Sequence, residues 1–188
     1  MPSSNIVILS SKDSRSQFDP SEYDAEVAIA ILIHSSPEHE RSESRPDRFL
    51  LQLRDDIPNI VYPGHWAFCG GHLDPGETAD QAVVRELEEE IGYVPPRLTL
   101  YRRAIGPTQD GRQILRNFYY GELTVPLEQL VLTEGQELGL ATAQDIERGY
   151  HFSQNNQEDR PMPEQHQQVL LDFIREQRGK SEPRTLQT

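Results

Sequence analysis

The sequence predicts an α/β domain, a mixed β-sheet with helices on both sides. Three observations predict it. Residues 26–34 (EVAIAILIH) form a run rich in Val and Ile, of strand length, and read as a buried strand. Residues 98–105 and 113–125 are two further strand-like runs joined by GPTQDGR, a hairpin-like turn. Between these, residues 78–91 carry the start, period and stop of a short helix.

Taken in order, the serine-rich residues 1–21 are expected to be a flexible N-terminal segment, in which residues 5–9 read equally as an edge strand or as disorder. Residues 22–177 are expected to form the domain, and residues 178–188 a flexible C-terminal tail. Residues 35–47 (SSPEHERSESRPD) are a polar loop broken by proline, and residues 48–54 alternate around Phe49, Leu51 and Leu53, so they pair with the first strand. Pro58 and Pro63 make residues 55–64 irregular. Residues 65–71 (HWAFCGG) form a short strand ending on glycines, where the backbone can approach a ligand closely. Past the hairpin, residues 130–132 are apolar and TEGQE follows as an acidic loop; residues 143–148 make a helical turn and residues 151–163 a polar loop. A closing helix from Met162 or Pro163 to Gln177 turns Val169, Leu170, Phe173 and Ile174 to the core.

The central helix is the best defined. Thr78 is an N-cap, Gln81 three residues on completes a capping box, and Asp80 adds negative charge where the helix dipole favours it. Gly92 stands where a left-handed residue ends a helix, and Pro95-Pro96 prevent its continuation. Helical spacing gives Val84, Leu87 and Ile91 a buried face, and Glu86, Glu89 and Glu90 a separate one with Ala82 and Tyr93 nearby. From Glu77 to Tyr93 there are six acids and one base, Arg85. Acids four apart repel by about 0.2–0.5 kcal/mol per pair, and an Arg85–Glu89 pair offsets only part of that. Such a face is either solvated or collected around a hard divalent cation.

Gly71, five residues, Glu77, seven residues, and then Arg85-Glu86-Leu87-Glu88-Glu89-Glu90-Ile91-Gly92 resembles the Nudix box without a gap. Tyr93 stands where an aliphatic residue is usual, and Cys69 where a proline is often found; neither change touches a carboxylate. The resemblance, which with flanking strands covers about residues 24–146, implies a Nudix-type α/β/α sandwich that cleaves a diphosphate with Mg²⁺ or Mn²⁺. It implies that Glu86, Glu89, Glu90 and the Gly70 carbonyl are metal ligands, with Glu86 and Glu89 catalytic. It also implies that Gly71, Glu77 and Arg85 support the loop against the helix. Glu134, in a loop where the family tends to carry a mobile acidic segment, is expected as a further ligand and catalytic residue, with Glu137 the neighbour that would replace it.

Composition narrows the partners. A formal net charge of −13 argues against a nucleic-acid polymer or an anionic membrane as partner, but not against a small nucleotide-type substrate. One cysteine excludes an internal disulfide framework, and the short apolar run at residues 6–9 gives no signal peptide or span, so a cytoplasmic location is expected. Monomer and homodimer stay open. Arg54, His72, Arg103 and Arg116 are the candidates for substrate binding. Cys69 reads as a small buried residue; the isopentenyl diphosphate isomerases, related by fold, use a cysteine near this region, which gives one alternative function. A silent ligand-binding or regulatory Nudix domain is the other. The remaining sequence does not select among ADP-ribose, nucleotide sugars, oxidised nucleoside triphosphates and dinucleoside polyphosphates.

Overall fold

A computed structural model describes residues 7–9, 18–34 and 47–181. It holds β1 (Val7–Leu9), β2 (Ala25–His34), β3 (Arg48–Leu53), β4 (Trp66–Ala67), β5 (Cys69–His72), α1 (Ala79–Ile91), β6 (Arg97–Pro107), β7 (Gln113–Glu122), β8 (Glu137–Ala141), α2 (Ala143–Arg148), β9 (Tyr150–Ser153), β10 (Glu158–Pro161) and α3 (Glu164–Ser181). The main sheet runs β1-β6-β7-β2-β3-β4, with β5 also on β2 and β8 also on β3. It is mixed: β1–β6 and β2–β7 are parallel, whereas β6–β7 and β3–β8 are antiparallel.

β2 is the axis. It is buried from Val27 to Leu32 because both faces are covered, which is why it reads as an unbroken apolar run. Its odd positions Val27, Ile29 and Ile31 join one core with Phe68, Phe118, Leu170 and Phe173, on the side of α2 and α3. Its even positions Ala28, Ala30 and Leu32 join the other with Val83, Leu87 and Ile91 of α1. The strand period of two thus sorts one sequence into two cores. The result is an α/β/α sandwich, as the box resemblance implied.

Several boundaries differ from expectation. The buried face of α1 centres on Ala82, Val83, Leu87, Glu90 and Ile91; Val84 is only partly buried. The apolar stripe is therefore turned one residue back, and Glu90 lies within it instead of beside it. Residues 65–71 make two strands, β4 and β5, parted at Phe68. β8 was not anticipated, and residues 151–163 contain a two-stranded hairpin, β9–β10; the sequence EDRP of β10 has no strand-forming pattern to detect. Of the two readings for residues 5–9, the strand forms at Val7–Leu9. α3 continues past Gln177 to Ser181. The loop expected at residues 35–47, apart from Asp47, and the tail from residue 182 lie outside the described residues, as do residues 1–6 and 10–17.

Candidate active site

The site is built where β5 meets α1. The helix starts on the Thr78–Gln81 capping box and ends at left-handed Gly92, as its sequence dictates. Two glycines let β5 come close. At Gly70, φ is +131° and a Cβ would lie 2.2 Å from the Ala28 carbonyl oxygen; at Gly71, a Cβ would stand 2.6 Å from the Glu86 carboxylate. A side chain at Gly70 would push β5 off β2, and one at Gly71 would displace the Glu86 carboxylate of the helix. With none, the Gly70 N–H donates to Glu90 Oε2 at 2.8 Å.

Arg85 ties the loop to the helix. Its Nε and Nη2 donate to the two oxygens of Glu77 at 3.0 and 2.9 Å, its Nη1 to Glu86 and Glu89 at 2.8 and 3.0 Å, and its Nη2 also to the His72 carbonyl at 2.9 Å. One planar fork thus orients three carboxylates and the β5–α1 loop, which a lysine ammonium would not reproduce. Hydrogen bonds from Arg85 hold Glu77 below the usual carboxylate range.

The other carboxylates are under electrostatic stress. Glu90 is 6% exposed, and burial with the charges of Glu86 and Glu134 pushes it up to about 7, against the pull of the Gly70 N–H. Glu86 is also raised, by burial first, against the opposing pull of Arg85. Glu86, Glu90 and Glu134 line one cavity of about 460 Å³, together with Arg54, Arg116 and His166. The segment carrying Glu134 is pinned to the C-terminus of α1: Val131 and Thr133 N–H donate to the Ile91 and Glu90 carbonyls at 3.0 and 2.9 Å, and Thr133 Oγ1 bonds the Glu89 carbonyl. Gln52 Nε2 then holds the Glu134 carbonyl at 2.7 Å. The acidic segment is a loop, as expected, held by these bonds to α1 and β3.

Among the described residues no three His, Cys, Asp or Glu side chains are already gathered into a cation-binding cluster. Glu89 is drawn aside to Arg85 and Glu90 to the Gly70 N–H. The donor chemistry nevertheless fits a hard divalent cation: all are oxygens, and burial, with neighbouring carboxylate charge added to it, raises the proton affinities of Glu86 and Glu90, a cost that a bound cation would offset.

Comparison with known proteins agrees with this arrangement. A family model described as the NUDIX domain matches residues 41–165. The chain belongs to the Nudix family. Curated relatives include a nucleoside triphosphatase NudI of Enterobacter sp. (strain 638), 53% identical over 32 residues, which is 17% of this chain and 23% of that protein. A NudI of Escherichia coli (strain K12 / DH10B) is 50% identical over 43 residues, 23% of this chain and 29% of that protein. The chain therefore matches less than a third of the length of these relatives. Similar solved structures include a MutT protein from Methanosarcina mazei Go1, with a TM-score of 0.60, 18% identity, and coverage of 81% of this chain and 94% of that one. The NUDIX domain of Shewanella oneidensis NrtR complexed with ADP ribose has a TM-score of 0.59, 19% identity, and coverage of 86% and 94%. At these identities the likeness is one of fold.

Within the Nudix fold, the expected site residues divide. Gly70, Gly71, Arg85, Glu86, Glu90, Glu134, Arg54, His72 and Arg116 line the cavity. Glu89 does not; its side chain is 62% exposed and paired with Arg85. Glu77 acts behind the wall, through Arg85. Glu137 is the first residue of β8, and its carboxylate accepts from Ser153 Oγ and from the N–H groups of Gln154 and Asn155, so it fastens the β9 turn; of these two acids only Glu134 lines the cavity.

Arg103 is the clear correction. A bulge in β6 between Leu100 and Arg102 adds one residue, so Tyr101 and Arg102 both face α3 and Arg103 is turned to the α1 side. There it donates to Asn117 Oδ1 at 2.8 Å and reaches Glu26 at 3.4 Å. A one-residue slip moves a side chain to the other face of a sheet, and nothing in RLTLYRRAIGP marks the slip. His166 was missed. It shares the inner face of α3 with Leu170 and Phe173, a four- and seven-residue spacing that was legible in the sequence.

Proposed function

We propose that this Nudix domain is a pyrophosphohydrolase, cleaving a diphosphate linkage in a nucleoside triphosphate or a nucleoside diphosphate-linked compound by attack of water at phosphorus. The observation that carries this reading is a single cavity lined both by Glu86, Glu90 and Glu134 and by Arg54 and Arg116. The relatives described as nucleoside triphosphatases support it. Glu86, Glu89, Glu90 and the Gly70 carbonyl would hold Mg²⁺, or Mn²⁺, with Glu134. When bound, the cation supplies charge neutralisation for the phosphate oxygens and a lowered pKa for water.

The chain's own residues do the rest. Arg85 keeps Glu86 and Glu89 in place, so the carboxylates are preorganised and not searching. Glu134, on a segment separate from α1, orients the attacking water opposite the leaving group and accepts its proton, with Glu86 as the carboxylate inside the box that would take over. Arg54 and Arg116, on the lining of the same cavity, offer positive charge to oxyanion groups of the substrate. His72 lines the same wall. The catalytic unit is proposed as residues 22–177. The silent regulatory reading has less support, because every box carboxylate is kept. The isomerase-like reading fails on Cys69, which is 2% exposed and whose thiol is pushed well up by burial and Glu90.

The test is turnover of nucleoside triphosphates, ADP-ribose, nucleotide sugars and dinucleoside polyphosphates with Mg²⁺ or Mn²⁺, against EDTA. Metal-dependent release of phosphate or nucleotide is expected for at least one compound, and its loss in Glu90→Gln. Metal-independent turnover, or a wild-type rate in that variant, would remove the carboxylate cluster from the mechanism.

A further inference from the structure

We infer that the cavity contains a second oxyanion subsite apart from the carboxylates: Arg116, with Arg54 and His166, receives a phosphate or carboxylate group that the substrate carries beyond the diphosphate that is cleaved. This rests on the hydrolase reading for the word substrate, but not for the subsite.

The first observation is missing charge compensation. Among the described arginines that are buried or half-buried, Arg85, Arg102, Arg103 and Arg160 each reach a carboxylate. Arg116 and Arg54 reach none among the described residues. Arg116 is 7% exposed, yet it meets only backbone carbonyls: Nη1 donates to Gly106 and Ile114 at 2.9 and 3.3 Å, and Nη2 to Pro107 at 3.5 Å. Arg54 gives its Nε to the Val61 carbonyl at 2.8 Å. Carbonyls satisfy donors but do not neutralise a charge. A buried cation left uncompensated in a chain of net charge −13 is expensive unless an anion joins it.

Geometry then defines the guest. A guanidinium has five N–H groups, and the carbonyls take three from Arg116. Its Nε–H has no partner among the described residues and Nη2 has one hydrogen to spare, and the Nε–Nη2 edge of a guanidinium is a fork that takes two oxygens of a phosphate or carboxylate. His166 adds a donor. Its ring lies 4.8 Å from Phe68, and its Nδ1 accepts the Phe68 N–H at 3.5 Å, which assigns the remaining proton of the neutral ring to Nε2. Burial, followed by the charges of Arg116 and Arg54, keeps the ring neutral, with its pKa lowered to about 3. These three side chains therefore present donors only. A nucleobase edge mixes donors with acceptors and would leave acceptors wanting here; an oxyanion would not. Arg54 makes no direct ion pair among the described residues, but it lines the cavity with Glu90 and His166 and its charge acts on both.

Titration of the EDTA-treated protein with inorganic phosphate, and separately with malonate, by calorimetry and thermal shift tests the proposal without metal or turnover. Saturable binding of one or both is expected, weakened tenfold or more in Arg116→Gln and in Arg54→Gln and retained in Glu90→Gln. Arg116→Lys keeps the charge and loses the fork, so it too should weaken binding. If Arg116→Gln does not fold, Arg54→Gln and Arg116→Lys decide. Phosphate binding alone assigns a phosphate group, and malonate binding alone a carboxylate. No binding of either, or binding unchanged in Arg54→Gln and Arg116→Lys, overturns the subsite. In turnover, of two substrates differing by one phosphate monoester, the more phosphorylated should have a KM tenfold or more lower, and Arg54→Gln should erase the difference. A panel with no metal-dependent hydrolysis overturns the hydrolase reading, while loss of phosphate and malonate binding overturns the subsite alone.

Discussion

The two faces of the sheet each carry a hollow lined by charge, and the two handle it differently. On the α1 side, a hollow of about 250 Å³ contains Glu26, Asp80, Arg103, Asn117 and Tyr119. Its polar groups are partnered within the set: Arg103 meets Asn117 and Glu26, Asn117 Nδ2 donates to Glu26 at 2.9 Å, and the Tyr119 hydroxyl donates to Asp80. The larger hollow, lined by Glu86 and Glu90 of α1, by Glu134 and by Arg54 and Arg116, leaves charge unpaired: among the described residues Glu90 and Glu134 bond no cationic side chain, and Arg54 and Arg116 bond no carboxylate. A matched set reinforces the fold. A set left unpaired stores unfavourable electrostatics that only a ligand of opposite charge relieves, and that is the better sign of a functional site.

The comparison breaks most sharply under substitution. Glu90→Gln should cut metal-dependent turnover by about 100-fold or more, since the group lost acts where charge develops. Arg103→Gln, on the matched side, should leave turnover unchanged and cost about 1–2 kcal/mol of stability, read from denaturant midpoints, by stranding Asn117 and Glu26. If Arg103→Gln were the variant that loses turnover, the two hollows would have been assigned in reverse. Next in size are the two acids of the TEGQE segment. Glu134→Gln should lower turnover at saturating metal by about tenfold or more, whereas Glu137→Gln should keep turnover and lose about 1–2 kcal/mol through the unpaired β9 turn. The opposite assignment would return the proton acceptor to Glu86.

The pH dependence of stability separates the two walls of the active cavity. Glu90 has its folded pKa raised to about 7 from 4.5, so its contribution is fully present below about pH 4.5 and is lost as pH rises through 7. His166 has the opposite sign: lowered to about 3 from 6.5, it contributes above about pH 6.5 and loses that as pH falls. In EDTA the two slopes oppose each other between about pH 4.5 and 6.5, and above that Glu90 dominates. Unfolding of the metal-free wild type minus that of Glu90→Gln should therefore fall by on the order of 2–3 kcal/mol from pH 5 to pH 8. The difference against His166→Phe should instead rise from pH 4 to pH 7. A flat Glu90 difference curve would mean that its carboxylate is not stressed, and the case for a waiting cation would weaken with it.

How much of this was legible in the sequence follows local chemistry. The capping box at Thr78, the stop at Gly92 and the double period of β2 are written in adjacent residues, and their elements form within a residue or so of expectation. The Gly70–Gly71 approach and the Arg85–Glu77 fork were legible only through the spacing of the box. What was not legible depends on residues far apart. The bulge that turns Arg103 away is set by pairing with β7, and the strand role of Glu137 by pairing with β3. The burial of Glu90 depends on how the helix rolls against β5. The lack of a carboxylate partner for Arg116 is a property of the whole cavity, because any of the chain's acids was a possible neighbour until the fold assigned them elsewhere.

The smallest expected effect concerns the seam between the walls, at Cys69. It is the buried first residue of β5, packs among Leu50, Ala82, Val83 and Leu87, and has its thiol beside the Glu90 carboxylate. Burial and that negative neighbour both disfavour a thiolate, so the sulfur is a poor nucleophile here. Cys69→Ala removes one buried sulfur with little room for collapse, and the expected cost is about 1 kcal/mol by denaturant midpoint, with turnover retained. Cys69→Ser separates packing from polarity. It nearly keeps the volume and gives Glu90 a stronger donor, so it should hold the carboxylate in its ionised form more firmly and lower the pH at which the Glu90 difference curve turns. If Cys69→Ala folds, binds metal and still loses its turnover, the reaction runs through sulfur, and the carboxylate wall becomes the support of an isomerase-like centre instead of the seat of hydrolysis.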